Sequence, residues 1–364
     1  MRIVIDARES GTSTGRYVDK LIEHLAQIKN EHEFVLVAKP QRVDFLKSIA
    51  PRFKVVESTY KEFSLAEQTG FLRQVKSLRA DLVHFTMPQQ PVLYRGPHIT
   101  TIHDLTTARF SNPAKNPFVF RFKQLVYRAV LRRVAKKSVR LIAISKFTKD
   151  DLVSFARINP GKVEVIYEAA DKITEHAEPV KELPGTKFIL FVGRPNPHKN
   201  LARLVNAMGV ISEGHPDVRL VLAGKFDENY RRIKNRVRDT NLTSKVYFTD
   251  FVSEGQLRWL YENALVYAFP SLSEGFGLPG LEAMLYSLPV ASSDATCLPE
   301  IYKDAALYFD PNSEADIAEK ITRLLDDKSL RNDLAAKGAL LVKSYSWRRM
   351  AEQTLELYEE AIRR

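Results

Sequence analysis

Short β-branched or apolar runs of strand length alternate with amphipathic stretches of helical period along the whole chain, and the alternation occurs twice. This restricts the chain to a doubly wound α/β architecture, because strands separated by helices pair in parallel and bury both faces of their sheet. In the first half, strands are expected at Arg2–Asp6, Glu33–Val37, Leu82–Phe85, Ile99–His103, Arg140–Ile144 and Lys162–Ile166. In the second half they are expected at Lys187–Val192, Val218–Leu222, Val246–Phe248, Leu265–Phe269 and Pro289–Ser292, with successive helices from Asn312 onward. The polar stretch Glu178–Gly185, interrupted by Pro179 and Pro184, reads as a linker. The expected organisation is therefore two Rossmann-like domains, 1–180 and 181–346, and a C-terminal helix over 347–364 packing back toward the first domain. Parallel sheets bind ligands beyond the carboxyl ends of their strands, so the expected site lies in a cleft that both domains face.

The length of 364 residues suits two domains that each bury a core, and 45% apolar with 27% charged residues excludes disordered and fibrous classes. Cys297 is the single cysteine, so no internal disulfide forms. Met1 and Arg2 lead straight into a strand, and no apolar run approaches the roughly 20 residues that span a bilayer. A cytoplasmic protein is expected. The net charge of +11 is uneven: residues 1–180 hold 30 Lys and Arg against 19 Asp and Glu, whereas 181–364 hold 25 of each. Such a half attracts an anion, whether nucleic acid, phospholipid or a phosphorylated substrate, or it serves solubility alone.

Two loops carry chemistry. The strand ending at Val192 runs into Gly193-Arg194-Pro195-Asn196-Pro197-His198-Lys199-Asn200, which puts two cations on one strand-end loop. Arg offers a planar fork and Lys a mobile point charge, so Arg194 and Lys199 suit a diphosphate, although a solvated loop has the same composition. After the strand ending at Phe269 comes Ser273-Glu274-Gly275-Phe276-Gly277-Leu278-Pro279-Gly280-Leu281-Glu282. Gly275 and Gly277 allow close backbone approach, and a helix starting near Leu278 with Pro279 in its first turn aims its positive end at the same place. Glu274 stays in the loop and Glu282 falls one turn into the helix. Paired carboxylates accept hydrogen bonds from vicinal hydroxyls, and no His or Cys stands at metal-ligand spacing beside them. Taken alone, Glu282 also reads as an ordinary helix-surface residue. His103 and His84, each at a strand end, read alone as structural histidines.

Gly193-Arg194 with Lys199-Asn200, Ser273 to Pro279 with Glu282-Ala283, and Leu298-Pro299-Glu300 together resemble the retaining family-four glycosyltransferases of GT-B fold. The resemblance continues through Ile3 to Arg8, Gly15-Arg16-Tyr17, Ile102-His103-Asp104-Leu105, Ile142 to Thr148 and Val163 to Tyr167, so it covers nearly the whole chain. The mannosyltransferase-like branch, acting in polysaccharide assembly, is the most similar. The resemblance implies that Arg194 and Lys199 stabilise the departing diphosphate of a nucleoside-diphosphate sugar, helped by backbone N–H groups over Gly275, Phe276, Gly277 and Leu278. It implies that Glu282 holds the ribose, that Glu274 and His103 touch the donor sugar, and that Gly15 lets a loop close over the diphosphate. Retention of configuration, with no metal or other cofactor and no protein nucleophile, is expected. GDP-mannose is the first-choice donor and a UDP-hexose the next; the acceptor is a glycan or a lipid-linked sugar.

The chain departs from the family pattern in Ser10-Gly11-Thr12-Ser13-Thr14-Gly15, which lacks an adjacent glycine pair, and in Glu168-Ala169-Ala170-Asp171, which replaces an Asn-Gly turn. Between Arg121 and Arg140 stand eight cations and no acid, beside an apolar stripe of Phe118, Phe122, Leu125, Val126, Ala129 and Val130. Residues 118–140 suit peripheral attachment to an anionic membrane, or a helix whose stripe packs on its own sheet. An epimerase or glycosyl phosphorylase on the same fold is the alternative function. Gly11 and Gly15 do not fit a nicotinamide fingerprint, and no nucleic-acid reader motif accompanies the basic stretch, so nucleic acid is not an expected partner.

Overall fold

The computed structural model describes residues 1–12, 14–110 and 117–363; Ser13 of the Ser10–Gly15 loop lies outside the described residues. The chain forms two compact units, one of Met1–Ala108, Phe122–Glu168 and Ser346–Arg364, the other of Arg109–Arg121 and Ala169–Tyr345.

The first unit holds seven strands: β1 Arg2–Asp6, β2 Glu33–Ala38, β3 Lys54–Glu57, β4 Leu82–Phe85, β5 His98–Ile102, β6 Arg140–Ala143 and β7 Val163–Val165. They form one sheet in the order β3-β2-β1-β4-β5-β6-β7, and every pairing is parallel. Ile3, Val4 and Ile5 of β1 are wholly buried, because helices cover both faces and a central strand has no solvent side. The strand order reverses between β1 and β4, so the crevice of this sheet opens where β1 runs into Ala7 and Arg8. Arg8 is buried there and forks onto Asp6 at 2.9 and 2.7 Å, with a third bond to Glu67 at 2.9 Å. A buried guanidinium is tolerable only when its donors are taken by carboxylates in this way. The helix Gly15–Gln27 follows, and the C-terminal helix Trp347–Ile362 packs against it. That helix is also tied to β4 by Tyr358, whose hydroxyl shares a hydrogen bond with His84 Nδ1 at 2.5 Å.

The second unit holds β8 Lys187–Val192, β9 Val218–Ala223, β10 Val246–Asp250, β11 Val266–Phe269, β12 Val290–Ser293 and β13 Ala306–Phe309. They too are all parallel, in the order β10-β9-β8-β11-β12-β13. The reversal here falls between β8 and β11. The loops that leave those two strands are the ones carrying Arg194, Lys199 and Glu274.

Three expectations change. β3 and β13 were not anticipated: each is a four-residue sheet edge, and neither Lys-Val-Val-Glu nor Ala-Leu-Tyr-Phe alternates apolar with polar residues. The passage between units falls at Glu168–Ala169, and the stretch 178–185 is packed within the second unit: Val180 and Leu183 are buried and the Glu178 N–H donates to Gly255 O at 3.0 Å. The stripe of Phe118, Phe122, Leu125 and Val126 is exposed rather than laid on the sheet. Helix Pro117–Lys137 instead buries Tyr127, Leu131, Val134 and Ala135.

Candidate active site

In the second unit the two loops at the sheet reversal are clipped together by backbone. The Leu272 N–H donates to His198 O at 2.7 Å, and Asn200, left-handed at φ 60°, donates its side-chain amide to Pro270 O at 3.0 Å and Pro311 O at 2.7 Å. With the loops so held, Lys199 Nζ donates to Glu274 Oε1 at 2.6 Å. Both side chains are largely buried, and the ammonium also stands 5.3 Å from the centre of the Phe269 ring. One of three ammonium donors is thus spent on Glu274, and the second carboxylate oxygen, Oε2, has no partner among the described residues. Arg194, on the same loop as Lys199, is exposed.

Glu274 is itself positioned by its backbone: its N–H donates to Thr296 Oγ1 at 3.2 Å, and its carbonyl accepts from Cys297 Sγ at 3.3 Å. Burial, then the nearby Glu274 and Glu300 charges, push the Cys297 thiol well above its ordinary range, so it stays a thiol and is unreactive. The loop ends at Gly277, which has φ 89° and precedes the helix Leu278–Leu285. A Cβ there would lie 2.5 Å from the Tyr302 hydroxyl, which donates to Gly277 O, so both conformation and space require glycine. Glu282, one turn into this helix, is 8% exposed and accepts from the Tyr261 hydroxyl at 2.9 Å. The helix-surface reading of Glu282 does not hold. A carboxylate buried at the start of a helix behind two glycines is placed for a ligand or for packing, and solvent is not its partner.

In the first unit Gly15 opens its helix with a Cβ position 2.0 Å from Glu9 O, so the loop after β1 closes back on itself only with glycine at this point. His103 stands one residue beyond β5 and is 8% exposed. Its Nε2 lies 3.1 Å from Thr86 O and its Nδ1 3.2 Å from Glu168 Oε1, while the Tyr17 ring meets it edge-on at 4.9 Å. Burial alone would lower the imidazole pKa, but the hydrogen bond and charge of Glu168, with Thr86 O and Asp104, outweigh it and raise the value. Behind it, Thr101 Oγ1 bonds both Tyr17 OH at 2.9 Å and His84 Nε2 at 2.8 Å. His84 is a structural histidine, with burial and then the charge of His103 driving its pKa down to about 3.

The structure thus brings Lys199 together with Glu274 and places Gly275, Phe276, Gly277, Leu278 and Glu282 along one loop and helix. Glu168, Tyr261, Asn200 and Tyr302 support these groups and were not singled out from sequence. The departure from an Asn-Gly turn was the one signal pointing at Glu168.

The glycosyl transferases group 1 model matches residues 163–360, and the glycosyltransferase family 4 model matches residues 14–172. The O-antigen chain mannosyltransferase B of Escherichia coli is 24% identical over 380 aligned residues, covering 96% of each chain. The O-antigen chain mannosyltransferase RfbU of Salmonella typhimurium is 30% identical over 231 residues, covering 64% of this chain and 60% of its own. Among solved structures, the Anabaena protein HepE in complex with UDP and glucose superposes with a TM-score of 0.76 at 16% identity, over 99% of this chain and 100% of the other.

Proposed function

Because the chain belongs to the group 1 glycosyl transferases and, in its first part, to glycosyltransferase family 4, in the mannosyltransferase-like branch with GT-B fold, we propose that it transfers a hexose with retention. The donor in this reading is a nucleoside-diphosphate sugar, GDP-mannose first and a UDP-hexose next, and the acceptor is a glycan or lipid-linked sugar. The names of the two mannosyltransferase relatives support mannose, and the UDP in the HepE structure supports a nucleotide on this fold.

The observation that carries the proposal is the Lys199–Glu274 pair at the sheet reversal, immediately before the N-terminus of a glycine-led helix. Lys199 keeps two donors for a phosphate oxygen while Glu274 fixes the ammonium, and Arg194 adds a fork from the same loop. Backbone N–H groups over Gly275 to Leu278 complete the countercharge for the leaving diphosphate, so this reading assigns no task to a metal. Glu274 Oε2 accepts from a hydroxyl of the donor sugar, and Glu282 accepts from the ribose. The family resemblance assigns Gly15 and His103 roles toward the donor as well.

Peripheral attachment to an anionic membrane belongs to the same reading. No helix among the described residues is long and apolar enough to cross a membrane. Phe122 is 68% and Leu125 63% exposed, and Arg121, Lys123, Arg132, Arg133, Lys136 and Lys137 are all exposed on the same helix. An apolar face within a basic one fits a charged lipid surface, where a lipid-linked acceptor resides.

The test is to incubate the full chain with GDP-mannose and, separately, UDP-glucose, and to follow nucleotide release and the anomeric configuration of the sugar product. Release of GDP or UDP with retained configuration is expected. Inversion, epimerised donor or hexose 1-phosphate overturns the reading.

A further inference from the structure

His103 lies between two acceptors. Thr86 O, 3.1 Å from Nε2, is a carbonyl and can only accept, so Nε2 carries a proton. Glu168 Oε1 lies 3.2 Å from Nδ1 and belongs to a carboxyl group that is 4% exposed, so a proton must also stand on that line. The neighbouring groups decide which atom keeps it. Asp104 adds negative charge from the loop after β5, Tyr17 meets the ring in a T-shaped contact from its helix, and His84 of β4, two residues before Thr86, is held neutral. Glu168 and Asp104 both act on this ring as negative charges, and a proton on nitrogen yields an ion pair where a proton on oxygen would yield two neutral groups.

We infer that Glu168 is a positioning residue that holds His103 as an imidazolium through the neutral range. The ring then acts through a fixed positive charge, since both of its N–H groups are bonded within the unit. It exchanges no proton with a substrate. The role of that charge in transfer rests on the glycosyltransferase reading, but the charge itself does not. A glutamine in place of Glu168 would keep a hydrogen-bonding group of the same length and remove the countercharge, leaving burial to favour the neutral Nε2–H form.

The experiment is a nuclear magnetic resonance titration of the histidine ring nitrogens in the full chain without ligand, from about pH 5 to about pH 9, with His103 assigned from the spectrum of His103→Asn. In the wild type, both His103 nitrogens are expected to remain protonated at neutral pH. In Glu168→Gln the ring should become singly protonated there, and Glu168→Asp should restore the charged form at least in part. A wild-type ring that is singly protonated at neutral pH overturns the inference, as does a Glu168→Gln ring that titrates like the wild type. Because no substrate is present, failure here leaves the proposed transfer untouched, and absence of transfer leaves the titration intact. Once turnover is measured, Glu168→Gln should lower kcat about tenfold at alkaline pH, the equivalent of roughly one pKa unit of lost interaction, and recover as the medium is acidified. A loss independent of pH would mark a merely structural role and overturn the inference.

Discussion

Lys199 Nζ and Glu274 Oε1 are 2.6 Å apart although 75 positions separate them in the chain, and the pair joins the two loops at the reversal of the second sheet. If the pair exists to aim an ammonium at a diphosphate, removing either partner should damage transfer more than stability. Lys199→Ala is expected to cut transfer at least about tenfold, which is the low end of what one preorganised electrostatic donor contributes. It should also weaken the stabilisation of the protein by GDP or UDP. The check is kcat/KM beside a nucleotide-dependent thermal shift; a folded variant with full activity refutes the assignment.

Glu274→Gln separates charge from shape. The amide keeps an oxygen at the place of Oε1 but removes the charge that fixes Lys199, so kcat should fall with little change in melting temperature. If Glu274 only braces the two loops, the melting temperature falls and kcat measured on the folded fraction does not.

The alternation of strands and helices was legible because period and β-branching are local. Burial of Ile3, Val4 and Ile5 on both faces makes such runs conspicuous. The edge strands Lys54–Glu57 and Ala306–Phe309 carry no such signal. Glycines were legible too: Gly277 read as a point of close backbone approach before a helix, and the structure adds φ 89° and the crowding of Tyr302 as reasons for glycine there. Side-chain pairing was not. Lys199 with Glu274, His103 with Glu168 and Glu282 with Tyr261 each join distant positions, and nothing in the neighbourhood of one residue encodes the identity of the other. The exposed face of helix Pro117–Lys137 shows a second limit. Two apolar sets coexist on that helix, and periodicity alone does not say which one meets the sheet.

Tyr261→Phe leaves the Glu282 carboxylate buried without its 2.9 Å donor. The expected cost is about 1.5–3 kcal/mol, the ordinary worth of a hydrogen bond to a charged group. If Glu282 also grips the ribose, saturating GDP or UDP should restore part of that loss. Denaturation with and without nucleotide reads both effects, and an unchanged midpoint would show that the hydrogen bond carries no stability.

Gly277→Ala combines a left-handed φ of 89° with a Cβ 2.5 Å from the Tyr302 hydroxyl. Strain of this kind costs about 1–3 kcal/mol, and relief requires the loop before the helix to move. A lower melting temperature together with a raised donor KM is therefore expected. A normal melting temperature would mean that the loop adapts freely.

His84 sets an acid limit on stability. Its pKa is lowered to about 3 by burial and then by the charge of His103, whereas in the unfolded chain it is about 6.5. Above the unfolded value both states are neutral and the contribution is complete. As pH falls from about 6.5 toward about 3, the unfolded state takes up a proton that the native state refuses, so stability declines. His103 acts in the opposite sense, since its raised pKa adds stability at low pH that is lost as pH rises through the folded value. A His84→Gln variant should have a shallower acid-side slope of unfolding free energy against pH than the wild type. Parallel slopes would show that His84 is not the titrating group.

The exposed face of helix Pro117–Lys137 yields the last prediction. Phe122 and Leu125 stand out of the surface, and Phe63, 70% exposed, packs its ring 6.4 Å from Tyr127 of the same helix, which extends the apolar area sideways. No acid interrupts the cations between Arg121 and Arg140. Each basic side chain near an anionic surface contributes about 1 kcal/mol, screened beyond a Debye length of roughly 10 Å at 0.1 M salt. The chain should therefore sediment with phosphatidylglycerol vesicles and not with phosphatidylcholine vesicles. High salt should weaken that binding without abolishing it, because inserted apolar side chains are insensitive to screening. Phe122→Ser with Leu125→Ser should remove the salt-resistant part, and Arg132→Glu with Lys136→Glu the salt-sensitive part. Equal sedimentation of both double variants and the wild type would show that this face does not meet the bilayer.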